Sequence, residues 1–158
     1  MKESILIART LARNHLLITN TQQYDLNNHT LSIASHDLSK MDIHLHAPSG
    51  AVGKDGPSAG VAITVALLSA LLNIPAKGNI AMTGEIDLLG NVLPVGGIKE
   101  KLLAAHRAQI MHVILPEANQ MDLQDVPKEI RRDMQIDFVN RIESVLDKVI
   151  GTPKLGDN

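Results

Sequence analysis

Gly53-Lys54-Asp55-Gly56-Pro57-Ser58-Ala59-Gly60 runs straight into the apolar stretch Val61 to Leu72, and this junction decides how the rest of the chain is read. Three glycines and a proline around one serine describe a shaped turn that delivers a helix start. Pro57 suits the first helical turn, where a missing N–H costs nothing, and Asp55 can cap the free amides around Ser58. Ser58 is thereby expected at the positive end of a helix, where unpaired N–H groups and the helix dipole favour an oxyanion. Two readings stay open on these residues alone. Ser58 is a nucleophile for acyl transfer, or Gly56-Pro57-Ser58 merely starts a core helix; a base that activates the serine would separate them.

Working outward, a candidate base lies in Pro94 to Arg107. Wound at about 100° per residue, this segment sets Ile98, Leu102 and Ala105 on one face and Glu100 and Arg107 on the other. Lys101 falls beside Ala105 and Ala108 at the apolar edge, while Lys99 points away. A lysine among small apolar side chains gives up hydration, which favours the neutral amine that a general base needs. The alternative is a snorkelling lysine, whose stem covers the core and whose head reaches water.

Three blocks now stand in order: Asp55-Gly56-Pro57-Ser58-Ala59-Gly60, Met82-Thr83-Gly84-Glu85 and Gly96-Gly97-Ile98-Lys99-Glu100-Lys101. Together, and with their spacing, they closely resemble the proteolytic domain of Lon, the ATP-dependent serine protease with a serine/lysine dyad. The resemblance runs from about Asp42 to about Ile150, and Met1 to Leu11 also resembles the family's first helix. It implies an α/β fold of the Lon proteolytic type, a mixed sheet with packed helices. It implies Ser58 as nucleophile, Lys101 as general base and Thr83 placed to hold the lysine. Glu85, Asp55, His44 and His46, with Gly56, Pro57 and Ala59 of the serine turn, are implied as surroundings of the site. It further implies unfolded or damaged proteins as substrates, a homohexameric ring, and an AAA+ ATPase domain of the same protein that would use ATP and Mg. No cofactor or metal is expected for this chain.

Two departures from the family pattern give further expectations. Lon proteolytic domains carry strands ahead of the first helix, and this sequence starts at that helix, so the leading strands are expected to be missing and the chain to be a poor protease alone. Leu89 stands where Lon commonly has an arginine, and the connection from Asn20 to Lys40 is longer than usual.

Composition narrows the classes. At 158 residues one domain is expected, over 1–150, with 151–158 as a loose tail. A formal net charge of −2 with one Phe and one Tyr offers neither the basic groove nor the aromatic platforms of single-strand readers. Cysteine is absent, which excludes disulfides and thiol catalysis and fits a reducing compartment. Met1-Lys2-Glu3-Ser4 leads into an amphipathic pattern rather than a leader, and the apolar run Val61 to Leu72 is too short to span a bilayer. A cytoplasmic protein is expected, or one of the mitochondrial matrix if the source is eukaryotic.

Along the chain, helical spacing marks Lys2 to about Leu17. Thr30 to Ala34 is expected as a short strand. Asp42 to His46 alternates as a strand would, turning His44 and His46 to one face, where a structural or site-lining role competes with metal ligation. Further strands are expected at Asn79–Thr83, Met111–Leu115 (stopped by Pro116) and 136–139, and a hairpin over 85–93 turning at Gly90-Asn91. Helical pieces are expected near 118–123, 128–134 and 142–150.

Gly56-Pro57-Ser58-Ala59-Gly60 also fits the G-x-S-x-G elbow of esterases. That elbow needs a strand running directly into the serine, and a glycine-rich loop precedes it here. Gly53-Lys54 is followed by Asp55 rather than Ser or Thr, so it is no phosphate loop. The stronger competitor is a Lon-like module kept for assembly or binding without catalysis.

Overall fold

In the computed structural model the described residues are 2–22, 43–46 and 56–150. Helix α1 spans Lys2–Gln22. Ser4, Ala8 and Ala12 recur every fourth residue and are buried, so a stripe of small side chains lets α1 lie close against helix α2, Gly60–Leu72. The helix runs five residues beyond the expected end at Leu17, because the polar stretch holds no glycine or proline to stop it.

α2 buries Val61, Ile63, Thr64, Val65, Leu67 and Leu68, while Ala66 and Ala70 are exposed. One face of this apolar helix is therefore open. The Thr64 hydroxyl turns back to the Gly60 carbonyl at 2.9 Å, which satisfies a fully buried polar group. Asn73 ends the helix in the left-handed conformation, its N–H on the Ala70 carbonyl and that of Ile74 on Ser69.

Strands β1 (Ile80–Met82), β4 (His112–Pro116) and β5 (Gln135–Val139) form a parallel sheet in the order β1-β4-β5. Between them in sequence, β2 (Glu85–Ile86) and β3 (Val92–Leu93) make a separate antiparallel pair. Helices cover both sides of the parallel sheet. Ile80, Ile114 and Val139 face a core with α1, α2 and α5 (Ile142–Val149). Val113 and Leu115 face a second core with Val126, Met134 and helix α3, Ile98–Arg107. Burial on both faces accounts for the unbroken apolar run Val113-Ile114-Leu115. The fold class is α/β, as expected.

Pro116 does not stop β4 but is its last paired residue, opposite Val139. Ile114 bonds toward the β1 side, accepting from the Thr83 N–H at 3.2 Å. Two residues on, the missing N–H of Pro116 faces the same side, beyond the last β1 pair of Met82 with Ile114, so no rung of that ladder is lost. After β4 come a 3-10 helix, Glu117–Asp125, and helix α4, Lys128–Asp133, close to their expected positions.

The hairpin turns where expected. The Asp87 carboxylate accepts from the N–H of Leu89 and of Asn91, both at 2.9 Å, and from the Asn91 side-chain amide at 2.7 Å. These bonds, led by the Asn91 side chain, hold the Asp87 carboxyl below its ordinary range. Leu89 sits on the outside of this turn, 74% exposed.

Residues 43–46 form no strand ladder with any described residue. Their alternation nonetheless holds: Ile43 and Leu45 pack against the first core, and His44 and His46 are exposed. The expected strand at Thr30–Ala34, the Asp55 cap and the tail 151–158 lie outside the described residues. No helix of the described residues is long and apolar enough to cross a membrane.

Candidate active site

Ser58 lies in the turn formed by residues 56–59, two residues ahead of the first helical residue, Gly60. Pro57, expected in the first turn of α2, instead lies three residues ahead of Gly60, where its carbonyl accepts the Gly60 N–H at 3.0 Å. Ala59 occupies the N-cap without a side-chain cap.

The turn is fastened to the end of β1. The Ser58 carbonyl accepts the Gly84 N–H at 3.0 Å and the Thr83 hydroxyl at 3.1 Å, and the Gly84 carbonyl accepts the Val61 N–H at 3.2 Å. Main chain meets main chain here, so a side chain at position 84 has no room. A Cβ on Gly84 would lie 2.8 Å from Val61 Cγ2 and 2.9 Å from Val92 Cγ1. Among the described residues, the N–H groups of Ser58 and Ala59 are not committed to any acceptor. Glu85 follows directly, half-buried at the start of β2.

Lys101 is in the first turn of α3. Gly97 precedes the helix at φ 70°, a left-handed value that favours glycine, and its carbonyl accepts the Lys101 N–H at 3.0 Å. Ile98, Leu102 and Ala105 are buried and Lys99, Glu100 and Arg107 exposed, as the spacing predicts. Lys101 is half-buried between the two sets. Its Nζ donates to the carbonyl of Gly96.

The structure therefore joins Ser58 to Thr83 and Gly84, and Lys101 to Gly96 and Gly97. Among the hydrogen bonds of the described residues, none links Ser58 to Lys101, and the Thr83 hydroxyl goes to Ser58 rather than to the lysine. His44 and His46 are bonded to neither Ser58 nor Lys101, and no group of three or more metal-ligating side chains occurs among the described residues.

One residue escaped the sequence reading. Asn119, 4% exposed in the 3-10 helix, accepts the Val95 N–H on Oδ1 at 3.0 Å and donates from Nδ2 to the Val95 carbonyl at 2.9 Å. The same Nδ2 donates to the Asp122 carboxylate at 2.6 Å. An asparagine in a polar segment reads as surface, so its burial carries no periodic signal.

Comparison with known proteins identifies the family. A family model for the Lon protease (S16) C-terminal proteolytic domain matches residues 1–152. The Lon protease of Fervidobacterium nodosum is 51% identical over 147 residues, covering 93% of this chain and 16% of that protein. Lon protease 2 of Thermus thermophilus is 47% identical over 147 residues, 93% of this chain and 17% of the relative. The Lon protease of Methanosphaera stadtmanae is 44% identical over 158 residues, 100% of this chain and 18% of the relative. The chain thus spans less than a fifth of the length of these relatives. On the match of the family model to nearly its whole length, this chain belongs to the Lon protease C-terminal proteolytic domain family.

Proposed function

We propose that the chain, as one domain over 1–150, is the serine endopeptidase part of an ATP-dependent Lon-type protease that degrades unfolded proteins. The observation that carries this reading is the serine turn: Ser58 is held by its carbonyl at the end of β1, while no described residue accepts from the N–H groups of Ser58 and Ala59. Such donors favour charge developing on a carbonyl oxygen.

In the proposed reaction the neutral Lys101 amine takes the Ser58 hydroxyl proton as Oγ bonds to the carbonyl carbon of the substrate. The oxyanion rests on the amides of Ser58 and Ala59. As the C–N bond breaks, the Lys101 ammonium returns a proton to the leaving amine, and water then hydrolyses the acyl-serine by the same exchange. To begin, Nζ must leave the Gly96 carbonyl and turn toward Ser58, a change that the four-carbon stem of lysine permits. The ring of six, the AAA+ ATPase with its ATP and Mg, and a cytoplasmic or matrix setting belong to the same proposal.

A second reading, a catalytically silent Lon-like module, draws on one observation: Lys101 is bonded to Gly96 and not to Ser58. The intact protein assayed on an unfolded substrate decides between them. Turnover that disappears in both Ser58→Ala and Lys101→Ala is expected. Turnover unchanged in Ser58→Ala would remove the peptidase reading for this site.

A further inference from the structure

We infer that Asn119 is a positioning residue for Lys101, acting through the main chain of Val95, Gly96 and Gly97; the inference rests on the proposed role of Lys101 as base. The geometry is a short relay. Asn119 grips both polar groups of the Val95 backbone, as a neighbouring strand would, at 3.0 and 2.9 Å. Which end of its amide is oxygen follows from the partners, since Val95 presents one donor and one acceptor. Asp122 takes the remaining Nδ2 hydrogen at 2.6 Å, so each polar atom of the amide is used.

The next residue, Gly96, supplies the carbonyl on which Lys101 Nζ rests, and Gly97 supplies the carbonyl that receives the Lys101 N–H at 3.0 Å. Both contacts of Lys101 therefore belong to the two residues that follow the gripped one. Gly96 and Gly97 are exposed and carry no side chain that could anchor them in the core. Apart from its carbonyl bonds to Lys101, the segment between Val95 and Ile98 is located by its ends. Ile98 is buried in the second core at one end; at the other, the Val95 side chain packs against the same core and the Asn119 carboxamide holds the Val95 main chain. Without it, the Val95 N–H and carbonyl lose their partner, the loop drifts, and the lysine starts from the wrong place. Misplacement of a reacting group by about 1 Å costs on the order of 100-fold in rate.

The test uses the intact protein, with Asn119→Ala, Leu123→Ala and Lys101→Ala beside wild type. Asn119→Ala is expected to lower kcat by about 10- to 100-fold with KM nearly unchanged, and to speed amide exchange at Val95. Leu123→Ala removes apolar packing from the same 3-10 helix while keeping the Asn119 carboxamide that bonds the Val95 main chain. It should lower the melting temperature yet leave kcat near wild type, a separation that a purely structural role of Asn119 would not give. Wild-type kcat in a folded Asn119→Ala protein overturns the inference. Should that variant not fold, the exposed Asp122 decides: Asp122→Ala leaves Nδ2 free to swing, and the inference requires a kcat reduced by about threefold or more, while unchanged kcat overturns it. Activity retained in Lys101→Ala would instead remove the underlying reading of the base; activity lost there but kept in Asn119→Ala removes this inference alone.

Discussion

The hydroxyl of Thr83 donates to the main-chain carbonyl of Ser58 at 3.1 Å, across 25 positions of sequence. With the Gly84 N–H on the same oxygen, it fixes the peptide plane that follows Ser58, and so the direction of the Ala59 N–H. Thr83→Val keeps the shape and removes the donor. Expected is a loss of about 1 kcal/mol in stability and at least about tenfold in kcat, with Thr83→Ser close to wild type. Steady-state kinetics with urea unfolding checks this; a Val variant with wild-type kcat would show that the bond does not position the turn.

Gly84 tests the crossing itself. Gly84→Ala sets a methyl against Val61 and Val92 at distances that real contacts do not reach, so one neighbour must move. The expected cost is about 1–3 kcal/mol in unfolding free energy, with further loss of activity from displacement of the Ser58 turn. Pairing it with Val92→Ala, which empties one side of the clash, should recover part of the stability.

Acid sensitivity follows from Asp137 on β5. Its carboxylate receives His112 at 2.9 Å and Lys148 at 3.1 Å. The His112 bond foremost, and the lysine after it, hold the Asp137 carboxyl below the ordinary range, against the effect of burial. A carboxyl depressed in the folded protein adds stability above its unfolded value, near pH 4, and that contribution fades as pH falls through the folded value. Asp137→Asn should therefore be less stable than wild type at neutral pH, with the difference shrinking toward acid. Urea midpoints from pH 7 to pH 2 measure it; a constant difference would assign the loss to packing.

Ser58→Ala and Lys101→Ala should be near neutral for folding, because neither side chain belongs to a buried core. Their unfolding midpoints are expected within about 0.5 kcal/mol of wild type, while turnover is lost. A large destabilisation in either would point to a structural duty for that side chain.

Much of this was legible in the residues. The spacing of Ile98, Leu102 and Ala105 gave the inner face of α3, and the Gly90-Asn91 pair gave the hairpin, because both are local rules. The three blocks were legible as a family pattern, although the contact that fastens the first block to the second was not. That contact depends on Gly84 lacking a side chain opposite Val61, a relation between residues far apart in sequence. Pro116 read as a stop because proline lacks a donor, yet in a sheet the donor matters only if a strand lies on that side. The helix α1 outran its apolar pattern, since polarity weakens packing without breaking backbone bonds. Asn119 was invisible because its two partners are main-chain atoms, whose identity no sequence records.

The two halves of the candidate site are held by different means. The serine half is stitched to the central sheet at Gly84, so amide exchange at Val61 and Gly84 should report opening of the whole core, with no cheaper local route. The lysine half hangs on two exposed glycines beyond Val95, and under the proposed mechanism a shift of that loop changes where the base starts.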